Sequence, residues 1–104
     1  MRNLTPHSIH VAVDGEIRVF PPSGEIARVS TVEQVIGEIN GMTVVSRSLG
    51  EVTGLPEEGE LCLVSAMVLE AVKGRKGVYA PDSGPTAVRN EKGHIVYVTR
   101  LVAA

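Results

Sequence analysis

The chain has 104 residues and only three aromatics, Phe20, Tyr79 and Tyr97, so it is one domain whose core must be built from Val, Ile and Leu. Its net charge of −2, with no block of Lys and Arg, argues against duplex DNA or RNA as a partner, because neutralising phosphates needs clustered cations. The lone Cys62 excludes an internal disulfide and fits a reducing cytoplasm.

The opening Met1-Arg2-Asn3-Leu4-Thr5-Pro6 holds no apolar stretch of signal-peptide length. Next, His10-Val11-Ala12-Val13, Asp14-Gly15 and Glu16-Ile17-Arg18-Val19-Phe20 spell a tight hairpin, since Asp-Gly tolerates positive φ at both centre positions of a type I′ turn. Pro21-Pro22-Ser23-Gly24 breaks the ladder, and Glu25 to Val29 alternates as a third strand. Val32, Val35, Ile36 and Ile39 fit a helical period. The Asn40-Gly41 turn and the Met42-Thr43-Val44-Val45 run that follow favour a second hairpin instead.

Leu49 to Gly59 reads as a loop by composition, and Glu60 to Val64 as a buried strand. Ser65 then caps the one credible helix, Ala66 to Val72, with Gly74 as its stop. That helix is apolar nearly all round and should face the sheet or a subunit interface. The run Leu61 to Val72 is interrupted by Ser65 and Glu70 and is too short to span a bilayer. Val78-Tyr79-Ala80 is a short strand. Thr86 to Arg89, the turn Asn90 to Gly93, and His94 to Val102 form a closing hairpin. The expected class is mainly β (α+β), a small antiparallel sheet or barrel-like domain of about seven to eight strands with one short helix. A cytoplasmic location and no membrane partner go with it.

Few residues point to catalysis. His7 and His10 are three apart in a segment read as entering a strand, so their side chains should face opposite ways and share no metal. No spacing suits a metal or a cofactor. Pro6 fixes the chain before the sheet begins, and His7 is either held there to present a ring nitrogen or bonded structurally to the backbone. Cys62 lies between leucines and reads as core. Ser23 and Ser83 sit in turns, and neither has the glycine spacing of a nucleophile elbow. The acidic stretch Glu57, Glu58 and Glu60 reads as a solvated face.

The most suggestive constellation is Pro81-Asp82-Ser83-Gly84-Pro85-Thr86-Ala87-Val88-Arg89. A carboxylate, two hydroxyls, a glycine N–H and a guanidinium are the parts of a polar or phosphate-binding site without catalytic machinery. Arg28 and Arg47, in β-branched surroundings, either bind an anion or face outward. Ser65 caps its helix and is also a candidate ligand contact.

Taken together, Leu4-Thr5-Pro6-His7, Pro22-Ser23-Gly24, Ala27-Arg28-Val29, Gly50 to Pro56, Val64-Ser65-Ala66 and Pro81 to Arg89 resemble a family of small phage, prophage and bacterial proteins that open with Leu-Thr-Pro-His. The resemblance covers almost the whole chain. It transfers no activity and implies a phage or prophage context. Within that context the chain is similar in size and kind to anti-defence sponges, which sequester nucleotide immune signals without cleaving them. That step is analogy.

The expectation is a non-catalytic homo-oligomer that sequesters a nucleotide-like or phosphorylated small molecule in the host cytoplasm. The expected contacts are His7, Arg28, Arg47, Ser65, Asp82, Ser83, Gly84, Thr86 and Arg89. A protein–protein inhibitor or phage accessory module is the alternative, with the Met67–Val72 face as its docking patch. A small phosphodiesterase or hydrolase with His7 as general base is a third.

Overall fold

A computed structural model describes residues 1–104. Its strands are β1 (Arg2–Asn3), β2 (Ile9–Val13), β3 (Glu16–Phe20), β4 (Arg28–Ile39), β5 (Met42–Thr53), β6 (Cys62–Leu63), β7 (Val78–Pro81), β8 (Val88–Arg89), β9 (Ile95–Tyr97) and β10 (Leu101–Ala103). The one helix, α1 (Ala66–Ala71), lies between β6 and β7. The protein is mainly β. No helix is long and apolar enough to cross a membrane.

Three antiparallel hairpins surround a small central sheet of order β1-β6-β7-β10. In that sheet β1 pairs β6 and β6 pairs β7 in parallel, while β10 closes the far edge antiparallel to β7. Both faces of the sheet are covered, as parallel pairing requires. On one face Leu4, Ala27, Cys62, Val64 and Val78 pack with Val68 of α1. On the other, Leu63 packs with Ile9, Val11 and Val98. Strand alternation therefore sends Cys62 and Val64 to one core and Leu63 to the other. This is why Cys62 to Val64 is continuously apolar, while the buried strand expected from Glu60 starts only at Cys62, and Leu61 before it is 51% exposed.

Both hairpin turns form as the dipeptides predict. Asp14 and Asn40 have φ of 50°, followed by Gly15 at 79° and Gly41 at 80°. The segment with the helical period is strand. The second hairpin, however, is much longer than its sequence signal, because β5 continues through Leu49 to Thr53. The glycine that suggested a loop there has a ladder role. The register shifts around Ser30, and a Cβ on Gly50 would lie 2.5 Å from Ser30 Oγ. Ser30 Oγ instead accepts from Glu51 N at 3.0 Å.

Two other segments depart from expectation. Glu25 to Ala27 is not strand. Ser23 N donates to Asn3 O and Ala27 N to Leu4 O, both at 3.0 Å, so this stretch docks onto the first strand's continuation rather than pairing. The closing hairpin ends at Tyr97, and β10 leaves it to join β7. Ser65 caps α1 as expected, its Oγ accepting from Val68 N at 3.4 Å. The helix ends at Ala71, with Gly74 at φ 86° just beyond. Only Val68 is fully buried, and Met67 is 52% exposed.

Candidate functional site

The carboxyl ends of β1, β6 and β7 lie side by side, and the chain leaves all three at the same edge of the sheet. This is the position where open sheets with parallel strands bind ligands. A cleft of about 540 Å³ opens there, within the range of small-molecule sites. Its walls are the Thr5–His10 segment after β1, Val64 and Ser65 after β6, Pro81 and Ser83 at the end of β7, and Ile95 to Val98. Three motifs that are far apart in sequence, Leu-Thr-Pro-His, Val-Ser-Ala and Pro-Asp-Ser-Gly-Pro, thus meet around one opening.

A buried amide holds the first wall. Asn3 is 1% exposed. Its Nδ2 donates to His7 O at 2.7 Å and Phe20 O at 2.8 Å, and its Oδ1 accepts from Thr5 N at 3.0 Å and Thr5 Oγ1 at 2.7 Å. Thr5 Oγ1 also lies 3.0 Å from His7 O. These bonds, with the fixed φ of Pro6, set a bend that presents His7 at the cleft. His7 therefore lies in the bend before β2 and not on a strand. The expected opposition of His7 and His10 does not arise, and both line the cleft. His10 is pinned beside the opposite wall, where its carbonyl accepts from Val98 N at 2.9 Å.

The remaining sequence candidates divide. His7, Ser65 and Ser83 line the cleft. Asp82, Gly84 and Thr86 lie directly behind it as a clasp. Asp82 Oδ1 accepts from Gly84 N at 3.0 Å, and Oδ2 accepts from Arg100 Nε at 2.6 Å and Thr86 Oγ1 at 3.4 Å. The hydrogen bond from Arg100, then that from the Gly84 N–H, hold the Asp82 carboxyl below the usual carboxylate range. Arg89 is occupied with carbonyls, donating to Ser83 O at 2.9 Å and Gly93 O at 2.8 Å. It shapes the Ser83 wall rather than reaching the opening.

Arg28 lines a second, smaller depression of about 300 Å³, separated from the first by the shared residues Thr5, Pro6 and Ser65. Arg47 is remote, on β5, bridging Glu33 across the strand pair at 2.6 Å. Cys62 is fully buried, and burial pushes its thiol above the ordinary value against the opposing charge of Arg75.

Sequence reasoning missed His10, Tyr97, Ser8 and the Arg100 partner of Asp82. Strand parity, applied to the sequence, turns His10 away from His7. Nothing near Tyr97 or Arg100 marks either as special.

The lining carries no Asp, Glu, Lys or Arg. Its polar groups are hydroxyls and imidazoles set among Ile9, Val64, Ile95 and Val98. Such a surface offers neutral hydrogen-bonding groups between apolar walls, and the three arginines expected at the site, Arg28, Arg47 and Arg89, all lie outside it. No group of three or more His, Cys, Asp and Glu is placed to hold a metal ion. Fold and cleft together define a small β-rich protein with a cleft at the carboxyl ends of parallel strands, while a separate open, all-polar depression of about 670 Å³ lies over Arg89 and the turn Asn90 to His94. Set against protein-family models, curated proteins and solved structures, the chain matches none of them.

Proposed function

We propose that the protein is a non-catalytic, homo-oligomeric binding protein of phage or prophage origin. It sequesters a nucleotide-type immune signal in the host cytoplasm, with the ligand in the cleft at the ends of β1, β6 and β7. The observation that carries this reading is the convergence of His7, His10, Ser65, Ser83 and Tyr97, with Thr5 and Ser8, on one opening shared with Ile9, Val64, Ile95, Val96 and Val98. Rings stack against a base, and hydroxyls and imidazoles reach ribose and phosphate oxygens. The Asp82 and Arg89 cluster supports the walls from behind. What favours retention over turnover is that the lining offers no carboxylate to orient an imidazole as a general base.

The test is equilibrium dialysis of the purified chain against cyclic di- and trinucleotides and ADP-ribose-type nucleotides, followed by heat release and mass spectrometry. The expected result is one class retained and recovered unchanged, with His7→Ala weakening retention at least about tenfold, the scale of one lost polar contact of about 1.4 kcal/mol. A recovered ligand that has been cleaved would establish an enzyme. A panel left entirely free would sink the reading and favour a protein partner.

A further inference from the structure

The β4–β5 hairpin is unlike the rest of the molecule. Twelve residues a side, about 40 Å at strand rise, it is hydrogen-bonded only to itself. Its base packs on the core through Val29 and Val52. Beyond the base every β4 residue is exposed, including Val32 at 56%, Val35 at 67%, Ile36 at 63% and Ile39 at 58%, and Met42 at the tip of β5 is 61% exposed. Alternation spreads the apolar side chains over both faces. The cross-strand pair Val35 and Val45 lies on the face opposite to that of Val32. A two-stranded ribbon with nothing packed on it is marginal in water, and this one leaves both of its outer edges unpaired.

The whole-molecule surface carries the same signal. The chain exposes 7089 Å². A folded monomer of its 11.0 kDa exposes about 5,600 Å². The excess of roughly 1,500 Å² exceeds the about 800 Å² that each partner buries in a standard interface. The radius of gyration, 16.4 Å, is likewise above the about 13 Å of a compact chain this long.

We infer that the β4–β5 arm is a dimerisation element, covered by the same arm of a second copy of this chain. A ribbon that needs cover in order to persist needs a partner that is present whenever the chain is. A second copy meets that condition, and a two-fold contact lets one self-complementary surface serve both sides. Of the three charges between Val32 and Leu49, Glu33 and Arg47 neutralise each other, which leaves only Glu38 near the tip to be kept apart from its copy. The inference deepens the homo-oligomer part of the preceding reading but does not depend on the ligand. A cleft that binds nothing would sink that reading and leave the dimer standing.

Sedimentation velocity on the full chain at micromolar concentration tests it. The wild type should run at twice its 11.0 kDa. Ile36→Glu combined with Ile39→Glu should halve that mass. Ile17→Glu, a control at a 47% exposed position on the β2–β3 hairpin, should leave it unchanged. A monomeric wild type, or an assembly that survives the arm variant, would overturn the proposal. If the arm variant loses its fold, amide exchange on the wild type decides. Arm amides from Val32 to Leu49 that gain protection as protein concentration rises support the dimer. Arm amides that exchange fast at every concentration refute it.

Discussion

Asn3 shows how much of the site rests on one side chain. A polar residue that is 1% exposed must find partners for both ends of its amide, and it has four. Asn3→Ala strips the His7 and Phe20 carbonyls and the Thr5 N–H of a partner in one step. It should cost about 2–4 kcal/mol, read as a fall in the urea midpoint at unchanged slope. Asn3→Asp should not rescue it, because the new carboxylate oxygen would face two carbonyls. Asp82 acts differently, through charge. Its folded pKa is depressed, so its stabilisation is full above the unfolded carboxyl value of about 3.9 and is lost as pH falls through the lower folded value. Asp82→Asn should therefore melt below the wild type near neutral pH, and the two melting curves should converge in strong acid. A gap between them that persists in acid would mean that the carboxylate's hydrogen-bonding shape, and not its charge, is what matters.

At the scale of elements, the legible parts of the fold are those whose information is local. Asp14-Gly15 and Asn40-Gly41 specify their turns because positive φ is needed at both positions, and both turns form. Ser65 specifies its helix start for the same reason of proximity. The misread parts are those whose partner is distant. Gly50 resembles a loop residue until the strand opposite is known, when it proves to be a point of close approach, whereas Gly54 does lie in the loop and its close approach is to the non-strand segment at Ile26. Gly54 has φ of 86°, and a Cβ there would sit 2.5 Å from Ile26 O. Gly41 has nearly the same φ, 80°, with open space around it. Alanine at both positions separates the two costs. Gly41→Ala should lose about 1 kcal/mol for the left-handed backbone alone. Gly54→Ala should lose clearly more, about 3 kcal/mol or above, because the backbone of residues 26 and 27 must also move. Equal losses in thermal melts would show that the close approach relaxes without cost.

For the whole molecule, the sequence held the parts of the cleft but not their assembly. His7 and Ser83 could be picked out by their turns and prolines, and Ser65 by its place at the start of the helix. Their meeting depends on β1, β6 and β7 running parallel, and two-residue strands such as Arg2–Asn3 and Cys62–Leu63 carry no periodicity from which to read a pairing. The same narrow strand ties the two cores together. Leu4 belongs to the cluster under α1 and Leu63 to the cluster under the first hairpin, at 1% and 0% exposure. Leu63 sits between Cys62 and Val64, which face the other core, so neither cluster can open without moving the strand that supports both. Leu4→Ala and Leu63→Ala should each cost about 2–5 kcal/mol. Both should lower one shared thermal transition, with calorimetric and van't Hoff enthalpies in agreement for the unfolding unit. A biphasic melt in which Leu63→Ala shifts one step and Leu4→Ala the other would show that the two layers fold independently. The cleft, whose walls come from both layers, would then lose its shape before the chain unfolds.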